Sequence, residues 1–128
     1  MKLRHHAFLD EARVREAIAA AERETSAPIA VSVAPHFFGD VRKTAERAFE
    51  RLGLTKAPHR NGVLFFVVPA RRTFVLFGDA AAHEALGQAT WDTIVAGVET
   101  HFRNGHPTAG IVHGVEAVGR ALARHFPA

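Results

Sequence analysis

The chain has 128 residues, enough for one domain that buries roughly two thirds of its unfolded surface without covalent staples. It contains no cysteine, which excludes disulfides, thiolate metal centres and thiol catalysis. Its 16 Lys and Arg against 13 Asp and Glu leave a formal charge of +3, and the cations are scattered rather than gathered with aromatics into a stripe, so nucleic acid is not an expected partner.

The opening "MKLRHHAFLDEARVREAI" is basic and then amphipathic, with no apolar core of the signal-peptide kind. No run of about eighteen apolar residues occurs anywhere, so no membrane span is expected and the expected location is the cytoplasm. Apolar positions Phe8, Ala12, Val14, Ile18 and Ala21 fall at helical spacing and predict a first helix over residues 8–25, stopping before Pro28. "PIAVSVAP" then alternates Ile29, Val31 and Val33 with small residues, the pattern of a short strand ending at Pro35. After the loop "HFFGD", Asp40 is placed to cap a helix with the stripe Val41, Ala45, Ala48, Phe49 and Leu52, and Gly53 is its stop signal.

Residues 63–68 and 74–77 are continuous β-branched and aromatic runs, too short for ordinary helices and apolar on both faces. They read as two central, doubly covered strands joined antiparallel through "PARR", with Arg71 and Arg72 at the solvent end. The remainder is helical in three pieces, at 80–86, 91–102 and 108–125. The second presents Trp91, Ile94, Val95, Val98 and Phe102 on one face, and the third presents Ile111, Val115, Val118, Leu122 and Phe126.

The expected fold is therefore an α/β sandwich in a single domain over residues 1–128. A small mixed sheet of at least three strands carries helices on both faces, the first strand parallel to the second and the second and third forming an antiparallel hairpin. This topology sorts the polar residues into two groups. The "HRNG" loop, the Gly78-Asp79 segment and the turn into the first strand share one end of the sheet, whereas the loop at 36–40 and "PARR" lie at the other.

At the first end, Asp79 could supply a hard oxygen to calcium or magnesium, with Glu84 and Asn61 adding two more, although such ions want six or more oxygens. The alternative is that Asp79 simply caps the helix starting at Ala80. Asn61-Gly62 reads either as a tight turn, both residues tolerating positive φ, or as a set of amides offered to an anion. His83 could act as an acid or base beside Asp79 or be a plain helix residue; His83-Glu84 lacks the second histidine of a zinc-hydrolase helix. His101 and His106 do not have the spacing of a rigid metal pair. Gly110 and Gly114 read as close-packing positions on a helix too charged for lipid.

The segments "AAERETSAPIAVSV", "FERLGL", "RNGVLFFV", "FGDAAAHEALGQATWD" and "HFRNGHPTAGIVHGVEAVGRALARHFP" together resemble the TPM domain family, and within it the short soluble bacterial branch. Many members are membrane anchored and exported. Photosystem repair, membrane-complex assembly, calcium binding and acid phosphatase activity are attributed to members. The resemblance implies a functional cleft at Asn61, Gly62, Gly78, Asp79, His83 and Glu84, with Ca²⁺ or another divalent cation as the cofactor. This chain departs from the family pattern by carrying Ser26, Ala27 and Pro28 where Ser-Gly-Glu is common, Ala34 in place of an acid, and Ala80-Ala81 in place of a larger pair.

Two readings follow. The first is a non-catalytic interaction module that binds a protein partner, with a weak divalent-metal site at the Asn61 and Asp79 end. The second is a metal-dependent, acid-phosphatase-like hydrolase of phosphomonoesters. The thinned carboxylate set, and the lack of a nucleophile and base at matched spacing, favour the first.

Overall fold

A computed structural model of the chain describes residues 8–35 and 39–128, so the loop expected at His36 falls partly outside the described residues. Helix α1, Glu11–Glu24, starts where the Asp10 side chain accepts from the Arg13 amide. Strand β1, Ile29–Val33, follows, then α2, Val41–Arg51, whose first turn is closed by Asp40 accepting from the Lys43 amide at 3.0 Å. Gly53, at φ 77°, ends that helix in the left-handed conformation glycine tolerates. Strands β2, Val63–Val68, and β3, Thr73–Gly78, are joined by a 3₁₀ turn at Pro69–Arg71, and α3, Ala80–Leu86, α4, Gln88–Arg103, and α5, Pro107–Ala123, complete the chain.

The sheet has the order β1-β2-β3, with β1 parallel and β3 antiparallel to β2. Every residue of β2 is buried, because it is central and covered on both faces. Val63, Phe65 and Val67 face the larger core beneath α1, α3, α4 and α5, while Leu64, Phe66 and Val68 face a smaller core under α2. Helices thus cover both faces, as the sequence predicts.

Three expectations need correction. Strand β3 is an edge strand and not a central one, and Leu76 is its one buried residue. Ala12 is exposed and Ala17 takes its expected place on the buried face of α1. Leu52 lies beyond the last turn of α2 and is 48% exposed, outside the core it was expected to join.

The glycines of α5 are close-packing positions. A Cβ on Gly114 would stand 2.7 Å from Phe65 of β2 and 2.8 Å from Val98 of α4. One on Gly110 would stand 2.9 Å from His101, so Gly110 admits α4 rather than the sheet. The aromatic pair expected in the core is there, with Trp91 buried and Phe102 half-buried.

Candidate functional site

The Asn61 and Asp79 end of the sheet is organised by Arg60, a residue that no motif in the sequence marks. Arg60 has φ 52°, the left-handed region a non-glycine residue enters only when its surroundings enforce it. Here the enforcement is visible. Its carbonyl accepts from the Ala81 amide in the first turn of α3 at 3.0 Å, and the Asp79 amide donates to Gly62 O at 3.0 Å. The Arg60 guanidinium then reaches back to Asp79, with Nε on Oδ2 and Nη2 on Oδ1, both at 2.8 Å. Asn61 and Gly62 do not have positive φ, so they are not the turn residues expected of them. Gly62 is small because a Cβ there would stand 3.2 Å from Leu54 O and 3.4 Å from Phe49.

The Asp79 carboxylate is 9% exposed and fully engaged. Besides the bidentate pair with Arg60, Oδ1 accepts from the Ala80 amide at 2.8 Å, so the residue is the helix cap that one of its two readings expected. The hydrogen-bonded Arg60 guanidinium, helped by the Ala80 amide, holds the Asp79 carboxyl below its usual range against the opposing effect of burial. Arg60 itself is 60% exposed, so the pair is open to solvent on the guanidinium side.

The six expected residues separate into distinct environments. Asn61, Gly62, Gly78 and Asp79 meet, as the shared sheet end requires, with Val63 opposite Gly78 in the ladder. Asn61 is 1% exposed, and its Nδ2 donor has no acceptor among the described residues. His83 is half-buried with its ring 4.9 Å from that of Trp91, and with Gly78 it lines a groove of 420 Å³ beside β3. Glu84 is exposed.

These groups as they stand do not fit a divalent cation. Both Asp79 oxygens are already paired with a cation, so an ion there would have to displace the Arg60 guanidinium. Among the described residues no three His, Asp or Glu side chains stand together as a metal-binding group. Two of the amides an anion would use are occupied, Ala80 by the Asp79 carboxylate and Ala81 by the Arg60 carbonyl. His101 stacks on His113 at 5.4 Å and donates through Nδ1 to Gly97 O, while His106 precedes α5, which separates the two histidines considered together in the sequence.

The TPM domain model matches residues 6–121, which is most of the chain. The chain belongs to the TPM domain family. The fold agrees with that of BA42, a protein of the psychrophilic bacterium Bizionia argentinensis solved by NMR, with a TM-score of 0.84 and 34% identity over 91% of this chain and 80% of that one. The N-terminal domain of a P. gingivalis protein shares the fold at a TM-score of 0.70 and 21% identity, over 91% of this chain and 73% of that one. Among curated proteins none matches this TPM chain. Among its described residues no helix is long and apolar enough to cross a membrane.

Proposed function

We propose that this TPM domain is a non-catalytic interaction module that binds a protein partner, and that Arg60 and Asp79 serve its architecture rather than a reaction. The observation that carries this reading is the saturation of the Asp79 carboxylate by Arg60 and the Ala80 amide. A phosphoryl-transfer site needs free oxygens for a metal, or free donors for the phosphate, at the point where charge develops. Here the Asp79 oxygens, the Ala80 amide and two guanidinium nitrogens of Arg60 are closed on one another. Gly78 and His83 are the expected residues that border the groove beside β3.

A weak divalent-cation site at Asp79 and Glu84 is the competing reading, supported by the shared sheet end. An ion there would have to displace the Arg60 guanidinium from both carboxylate oxygens, and Glu84, on α3, would have to turn towards it. The hydrolase reading depends on that exchange. We expect no turnover of p-nitrophenyl phosphate above background with magnesium, calcium or zinc across acid and neutral pH. Metal-dependent turnover that is lost on chelation and in Asp79→Ala would replace this reading with the hydrolase.

A further inference from the structure

The two edges of the sheet differ in how they are guarded. Val63 N–H donates to Pro28 O and Ala34 N–H to Val67 O, so Ile29, Val31 and Val33 turn their backbone groups outward on β1. On that edge Pro28 and Pro35 flank the strand, and the Glu22 carboxylate accepts from Ile29 N–H at 2.9 Å. Strand β3 has no such device. The bond from Asp79 N–H to Gly62 O sets the phase of the antiparallel ladder, so Thr73, Val75 and Phe77 pair with β2, while Phe74, Leu76 and Gly78 present N–H and C=O outward. No described residue hydrogen-bonds to those outward groups.

An apolar edge without proline, charge or bulge is the kind proteins normally blunt, because it templates pairing with another chain. "TFVLFG" has none of the three. It is nevertheless apolar on both sides, and the groove of 420 Å³ runs along it, floored by Trp91 and Val95 of α4 and rimmed by Arg42 of α2 and Asp92 of α4. The rims carry opposite charges on opposite faces of the sheet.

We propose that β3 accepts an extended segment of a partner protein as a fourth strand. The segment has apolar side chains on both faces, an acidic one on the face towards Arg42 and a basic one on the face towards Asp92. This rests on the reading of the domain as an interaction module and names where and how it binds. Backbone pairing with Phe74, Leu76 and Gly78 supplies affinity, and the two rims select the alternating charges. A strand sends successive side chains to opposite faces, so one segment satisfies both rims at once.

The test is titration of ¹⁵N-labelled protein with the terminally blocked peptide Val-Glu-Lys-Val-Val-Glu-Lys. Saturable shifts and slowed exchange at the Phe74, Leu76 and Gly78 amides are expected, and none with the same peptide methylated at every backbone nitrogen. Exposed ion pairs are modest, so Arg42→Glu and Asp92→Lys should each weaken binding about threefold. Absence of saturable shifts at those amides overturns the proposal, as do shifts at Val31 and Val33 instead. Shifts at the β3 amides that grow with protein concentration without peptide also overturn it, because the occupant is then a second copy. Shifts confined to Arg71 and Arg72 sink the edge but leave the interaction-module reading standing, whereas metal-dependent phosphatase turnover removes that reading whatever the peptide does.

Discussion

Asp79→Ala lowers the stability of the domain by about 1–2 kcal/mol, read as a shift of the urea midpoint at neutral pH. Removing the carboxylate leaves the Ala80 amide without its cap and Arg60 without the partner that holds its left-handed backbone in place. Asp79→Asn is milder, since the amide oxygen can still cap the helix and only the ionic part of the link to Arg60 is lost. The pH dependence separates the two contributions. In the unfolded chain an aspartate titrates near pH 4, and in the fold Arg60 holds the Asp79 carboxyl lower. The linked stability is therefore fully present above about pH 4 and is lost as pH falls through the folded value. Urea unfolding from pH 7 to pH 2.5 should show a shallower acid loss in Asp79→Asn than in the wild type. Parallel curves would mean that the pair contributes nothing to folding.

A larger effect is expected at Gly114→Val, with a loss of about 3 kcal/mol or an unfolded product. In the interior of a helix a glycine is itself unfavourable by about 1 kcal/mol relative to alanine, so propensity alone favours replacement. Packing decides otherwise. The first added carbon already meets Phe65 at 2.7 Å and Val98 at 2.8 Å, and both neighbours are fully buried with nowhere to recede. The check is a double-mutant cycle with Phe65→Leu, which opens space on the sheet side. The double variant should be more stable than the sum of the single losses predicts by about 1 kcal/mol or more. Strict additivity would show that the contact between α5 and β2 is not what fixes the glycine.

Much of the architecture is legible in the sequence, because burial of whole faces writes a period. The Asp40 cap, the Gly53 stop, the parallel β1 and β2 and the meeting of Asn61-Gly62 with Gly78-Asp79 all follow from pattern and topology. "TFVLF" is apolar on both faces because α2 covers one and α4 the other, and that pattern reports on faces but not on edges. Whether a strand is central depends on what lies beside it, which only the pairing reveals. Ala12 and Leu52 failed for a simpler reason: they sit at the margins of their stripes, near a helix end, where a small rotation moves a side chain into solvent.

At the candidate site the sequence offers the positions but not their engagement. Arg60 stands next to Asn61, and placing that loop and Asp79 at one sheet end is enough to suggest a cation beside an anion. The signal was there in "HRNGV" and "FGDA", nineteen positions apart between Arg60 and Asp79. What could not be read is that the pair is bidentate and leaves neither carboxylate oxygen free. That geometry makes the pair a latch between the loop and α3.

Calorimetric titration of calcium into the wild-type protein at neutral pH bears most directly on this account. With Asp79 committed to Arg60 and Ala80, no saturable heat is expected up to about 1 mM calcium, the range of weak extracellular-type sites. Stoichiometric, saturable binding in that range, lost in Asp79→Ala, would show that the guanidinium yields to the ion and would contradict the account.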